Sequence, residues 1–281
     1  MSAEQHLRAG NLDAALQELQ DLVRREPANP KHRVFLFQIY VVRGQWERAK
    51  TQLNVLRDLD GTTIPMVQTY EQALRCEVLR ADVWKGVRSP LLFGEPANWI
   101  AAMVQALALS ADDKVEQAQG MRSQALEQAP ALPGRLKLAE AVGVEPGTVE
   151  STTTEAPFAW LADGDSRLGP LLEAIINGKY YWVPWSAIAS VTLEPPTDLR
   201  DMVWMPAQFR WRNGGEAVGL LPSRYPGTES ATDSALRLCR RTEWHDAGHD
   251  EYRGAGQKVL ATDTGEYGLL DVRQITIDAP A

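Results

Sequence analysis

A 34-residue period constrains this chain more than any other feature. Gly10, Ala15, Leu19 and Leu22 recur as Gly44, Ala49, Leu53 and Leu56, and Pro27 falls where Gly61 stands. That interval is the length of a tetratricopeptide helix–turn–helix unit. Small residues at these points let two antiparallel helices approach closely, and proline closes the second helix because it cannot continue the hydrogen-bond ladder.

The pattern predicts helices over Ala3–Ala9, Leu12–Glu26, Pro30–Arg43 and Trp46–Leu59. Leu12, Ala15, Leu16, Leu19, Leu22 and Val23 follow helical spacing, and the turns Gly10-Asn11 and Gly44-Gln45 imply antiparallel neighbours. A longer helix is expected over Pro65–Lys85, a Pro- and Gly-rich loop over Arg88–Asn98, and a further pair over Ala97–Ala108 and Asp113–Gln128. In that pair Ala118 and Pro130 keep the spacing of Ala15 and Pro27 but lie one residue out of phase, so the pair reads as a decayed third repeat. Three units are about the minimum for an independent stack, so the helices are expected to lean on the second half of the chain. Their exposed face could serve as scaffold or could hold a peptide.

Glu145–Pro157, reading EPGTVESTTTEAP, has two prolines, four threonines and almost no apolar content. It reads as a linker between a helical domain, residues 1–144, and a β-rich domain, residues 158–281, in an α+β chain. The second half is patterned as short strands: Phe158–Leu161, Leu171–Ile176, Tyr180–Pro184, Ala187–Leu193, Val203–Trp211, Ala217–Leu221, Gln257–Thr262 and Leu269–Ile277. A helix capped by Thr232 or Asp233 is expected to run to about Thr242.

The densest stretch is Asp163–Trp185, DGDSRLGPLLEAIINGKYYWVPW. Asn177-Gly178 between apolar segments is the strongest short hairpin signal, because both central residues of a type I′ turn need positive φ. A two-residue loop sets Glu173 opposite Trp182 and Ile176 opposite Lys179. Leu171, Glu173, Ile175, Tyr180 and Trp182 then share one face, and Leu172, Ala174, Ile176, Tyr181, Val183 and Trp185 the other. A helix over Pro170–Asn177 with Gly178 as its C-cap also fits. The hairpin is favoured, because a β-type aromatic run comes directly after it.

Charge excludes some partners. Of the net −8, residues 1–150 contribute −2 and residues 151–281 contribute −6. An acidic second half does not suit nucleic acid or an anionic membrane surface. The two cysteines, Cys76 and Cys239, sit among apolar residues and read as buried thiols of a reducing compartment. The first residues lack a signal-peptide core and no apolar run reaches spanning length, so a cytoplasmic protein is expected.

Catalytic signals are weak. His245 and His249 are four apart, but Ala247-Gly248 between them and the surrounding polar residues read as a solvated loop rather than a metal site. Asp163 and Asp165 flank no base that could activate Ser166, and Asp165 reads as a turn residue that Arg167 can pin. No metal, cofactor or catalytic residue is assigned. Six of the nine tryptophans lie after residue 157. Most of them should fill the core, with some left at a groove, since Trp and Tyr anchor interfaces.

The segments DSRLGPLLEAIINGKYYWVPW, LEPPTDLRDMVW at 193–204, SRYPGTES at 223–230, ALRLCRRTEW at 235–244, KVLATDTGEYGLLDVRQI at 258–275 and GEPANW at 94–99 resemble the ImpE family, also called TagJ or SciE-type. Its members are accessory proteins of bacterial type VI secretion. The resemblance spans nearly the whole chain. It implies a non-enzymatic cytoplasmic adaptor that binds the N-terminal helix of the small sheath subunit TssB and is linked indirectly to the ClpV unfoldase. The family supplies no binding residues. Aromatic density alone points to the hairpin face as the contact: Glu173, Tyr180, Trp182 and Trp185, with Arg167 at its base and Asp165, Asn177 and Gly178 as structural turns. The remaining alternatives are a scaffold that docks another secretion component through the repeats and a metal-dependent hydrolase at His245 and His249.

Overall fold

The computed structural model describes residues 1–95, 97–139 and 154–279. Seven helices open the chain: α1 (Ala3–Arg8), α2 (Leu12–Arg25), α3 (Pro30–Val42), α4 (Trp46–Leu59), α5 (Ile64–Trp84), α6 (Asn98–Ala111) and α7 (Val115–Gln128). Each agrees with the expected span to within a few residues. Capping explains the starts. Ser2 closes a capping box on Gln5, and Asn11 and Asn29 accept from the first turns of α2 and α3. Gly10 and Gly44 turn the chain at φ 76° and 65°, values that favour glycine.

The strands are β1 (Leu91–Leu92), β2 (Gly134–Leu138), β3 (Glu155–Phe158), β4 (Leu161–Asp163), β5 (Leu171–Ile176), β6 (Lys179–Pro184), β7 (Ile188–Leu193), β8 (Trp204–Trp211), β9 (Glu216–Pro222), β10 (Thr242–Asp246), β11 (Tyr252–Gly256), β12 (Val259–Thr262), β13 (Glu266–Gly268) and β14 (Val272–Ile277). Among the described residues nine of them form one sheet, ordered β1-β6-β5-β9-β8-β7-β14-β2-β3. The set β13-β12-β4 and the pair β10-β11 stand apart from it.

Pro170–Asn177 is not helical. Strands β5 and β6 pair with Glu173 opposite Trp182 and Ile176 opposite Lys179, the register the Asn-Gly turn predicts, and Asn177 and Gly178 hold φ 49° and 69°.

The sequence-based boundaries need correction. Strand β2 lies inside the expected helical domain 1–144 yet pairs with β14 and β3. Strand β3 takes Glu155–Phe158 out of the expected linker, whose residues 145–153 lie outside the described residues. The expected loop at 88–98 contributes β1, which pairs parallel to β6. The helix expected to reach Thr242 is α8 (Ser234–Arg237), one turn capped by Asp233, and Cys239 leaves it at φ 54°.

Two cores sandwich the sheet. One holds Leu172, Ala174, Ile176, Val183, Trp185, Met205, Phe209, Trp211 and Ile275. The other runs without a break from Leu12 and Phe37 through Tyr70 and Trp84 to Leu171, Tyr180, Trp182, Trp204 and Leu238. The helices therefore do lean on the sheet, and they share its core. Both faces of the hairpin are covered, which is why β5 is buried at every position and reads as a continuous apolar run broken only by Glu173.

Candidate functional site: an apolar groove above a buried ion network

Helix α5 and hairpin β5-β6 meet across a polar layer inside the apolar core. Ala73, Glu77, Arg80 and Trp84 fall on one helical face and all are buried. Glu173 is 1 % exposed and is the hub of this layer. It accepts from Arg80 Nε at 2.7 Å and Nη2 at 2.9 Å, from Trp84 Nε1 at 2.8 Å and from the Tyr180 hydroxyl. Lys258 Nζ lies 2.9 Å from Glu173 and 2.5 Å from Asp163. Trp182 donates to Tyr180 at 2.8 Å, and Trp204 donates to Glu77 at 2.8 Å.

Burial by itself would raise the pKa of Glu173. The Arg80 and Lys258 cations and the donated hydrogen bonds overcome it and hold the carboxyl far below the usual carboxylate range. Burial likewise would discharge Lys258, and Asp163 and Glu173 hold it charged. The Tyr180 phenol is pushed well up by burial and by the adjacent Glu173 charge. A carboxylate locked this way accepts hydrogen bonds and is not a proton donor or acceptor near neutral pH.

The network shapes the turn after β4. Lys258 holds Asp163 from inside. Arg167 closes on Asp165 at 2.8 Å and 2.6 Å, as the sequence suggests, and stacks its guanidinium 4.7 Å from the Trp84 ring. Asp165 also accepts from Gly254 N at 3.0 Å, and Ser166 exchanges hydrogen bonds with the Tyr252 backbone. Ser166 thus serves a turn, and among the described residues its hydroxyl bonds only the Tyr252 backbone.

On the outer side of this turn lies an apolar groove with a volume of about 410 Å³. One wall is the end of α7 and the residues after it, Leu126, Ala129, Pro130 and Ala131. The other is Trp160, just before β4, with Ala162 and Ala261, which pair across β4 and β12. Gly169 and Pro170 close its floor. Trp160 is 40 % exposed and Leu126 45 % exposed. Pro130, Leu161 and Pro170 also line a smaller gap that reaches Trp99, Leu132 and Trp185. The indole N–H of Trp185 is buried there and has no hydrogen-bond partner among the described residues.

Comparison with known proteins fixes the family. The ImpE protein family model matches residues 155–276, and a tetratricopeptide repeat model matches residues 6–73. The type VI secretion system accessory component TagJ of Pseudomonas aeruginosa is 48% identical over 99% of this chain and 92% of its own length. The chain belongs to the ImpE family. The crystal structure of protein VPA1032 from Vibrio parahaemolyticus shares the fold: its TM-score is 0.82 at 22% identity, over 99% of this chain and 98% of the other.

Within this ImpE chain the expected contact residues go inward. Glu173, Tyr180 and Trp182 lie in the ion network beneath α5, and Trp185 is in the second core. The hairpin face is therefore not a surface a partner can touch. Aromatic density reported a core that is closed from two sides, which sequence alone reads as a one-sided sheet. None of the expected contact residues lines the groove; Trp185 reaches only the smaller gap beside it. Asp165, Asn177 and Gly178 do occupy turns. His245 is on exposed strand β10 rather than in a loop, and His249 is exposed in the connection to β11. Among the described residues no group of three metal-ligating side chains forms.

Sequence reasoning missed Glu77, Arg80, Arg224 and Lys258. A signal existed for two of them, because Glu77 and Arg80 continue the apolar stripe of Ala73 toward Trp84, where charges have no place unless paired.

Proposed function

We propose that this chain is a non-enzymatic adaptor of bacterial type VI secretion. It works in the cytoplasm, binds the N-terminal helix of the small contractile-sheath subunit TssB, and assists sheath assembly or ClpV-linked recycling. The observation that carries this reading is 48% identity to a type VI secretion accessory component across nearly the full length of both chains. The site chemistry agrees with it. Glu173, Arg80, Lys258 and Asp163 are paired with one another in the interior, and the surface carries an apolar groove, the usual seat of an amphipathic helix. Among the described residues no helix is long and apolar enough to cross a membrane.

The test is calorimetric titration of the full chain with a peptide of the TssB N-terminal helix and with a scrambled peptide of equal composition. Saturable binding of the first alone is expected. Equal binding of both, or of neither, overturns the adaptor reading. Removing residues 1–145 is not a usable control, because the core shared by helices and sheet would be opened.

A further inference from the structure

The geometry points to the Trp160 groove as the docking site, and to an occupant of stated chemistry: an amphipathic helix whose apolar stripe is bordered by Lys or Arg. This inference rests on the adaptor reading and assigns a surface to it.

Charge complementarity carries it beyond exposure. Among the described residues no Lys or Arg lines the groove, and exposed carboxylates lie close to it in the chain and in the sheet. Ala261 pairs with Ala162 on one side and with Glu266 on the other, so Glu266 shares the outer face of this small sheet with Ala162. Asp263 follows the end of β12, and its carboxylate accepts from the N–H of Ala159, the residue before Trp160, at 2.7 Å. Glu127 is next to Leu126 on the opposite wall, and all three carboxylates are exposed. A helix entering the groove lies close to these exposed carboxylates, which favours cations flanking its apolar residues.

The turn beneath is held in place by Lys258–Asp163 and Arg167–Asp165, which makes the groove preformed. A preformed groove avoids the ordering cost that a flexible one would add.

Trp160 and Leu126 project from the surface, so truncating them leaves the cores intact. Titration of wild type, Trp160→Ala, Leu126→Glu, the charge-reversed pair Glu127→Lys/Glu266→Lys and a control on the open sheet face, Val218→Ala, with the same sheath peptide tests the assignment. Thermal melts verify folding. Expected are a loss of 10-fold or more for the two groove variants, a several-fold loss that disappears at high salt for the charge-reversed pair, and no change for the control.

Peptide binding by wild type that the groove variants keep unaltered overturns the groove while leaving the adaptor reading intact. Absence of binding to wild type overturns the adaptor reading and this inference with it. Weakened groove variants with an unaffected charge-reversed pair at low salt overturn the basic border. Sedimentation of the same samples covers a further occupant. Self-association that Trp160→Ala abolishes, with peptide binding unchanged, would make the groove an interface between copies and refute the assignment.

Discussion

Replacing Glu173 by Gln changes one oxygen for one nitrogen at the centre of the shared core. The carboxylate accepts from Arg80 twice, from Trp84 and from Tyr180, and it pairs with Lys258. A carboxamide offers half the acceptor capacity and turns an NH₂ toward one of those donors. Arg80 keeps only the Arg224 carbonyl at 2.9 Å and Glu77 at 3.5 Å, while Lys258 keeps Asp163. Two or three stranded donors at about 1–3 kcal/mol each agree with the ~3–5 kcal/mol cost of losing one partner of a buried pair. Against a net stability of about 5–15 kcal/mol, that is a large share. Urea denaturation followed by tryptophan fluorescence and by far-ultraviolet circular dichroism measures it. In thermal melts the same loss is expected to appear as roughly 6–20 °C. A loss below ~1 kcal/mol would refute the claim that this network couples helices to sheet.

Two more outcomes are expected from the same interior. Arg224 is buried without a carboxylate and donates to Val42 O at 2.7 Å and Val41 O at 3.0 Å, so Arg224→Met should cost about 1–3 kcal/mol in urea denaturation; the exposed Arg240→Met, which loses equivalent bonds to Leu7 and Arg8, should cost clearly less. Glu173 titrates far below its unfolded value of about 4.3, and the Glu251 carboxyl is also lowered against its burial by Ser110, Arg122 and Arg253, so the unfolded chain binds more protons in acid. Their contribution is therefore complete above about pH 4–5 and is lost as pH falls further, and a denaturation series from pH 6 to pH 3 should show this slope reduced in Glu173→Gln.

The repeats were legible because helix period, capping residues and glycine turns are local signals. The hairpin register was legible for the same reason, since Asn177-Gly178 fixes it from within. What the strand pattern could not reveal is how many faces of the sheet are covered. Alternation assigned Glu173, Tyr180 and Trp182 to one face and Leu172, Val183 and Trp185 to the other, and that assignment holds. The error was to leave the first face open to a partner. Covering it requires Arg80 and Trp84, nearly a hundred residues earlier, and Lys258, some eighty residues later, and no local spacing links these three. The groove was hidden for a similar reason: Leu126 and Trp160 come from opposite sides of the segment expected to be a linker.

The two helix-capping arginines tie the opening period to the second half. Arg240 holds the Leu7 and Arg8 carbonyls, and Arg224 holds those of Val41 and Val42. Each pair of acceptors is 34 residues from the other, so the β domain grips the same two carbonyls at the end of the first helix in both repeats. The last carbonyls of a helix lack intrahelical partners and carry its negative dipole end, and a guanidinium answers both needs. Slippage of the sheet along the stack by less than one repeat would break these arginine bonds and strand a buried cation at Arg224. The repeat spacing thus does more than stack helices: it sets where the sheet can dock.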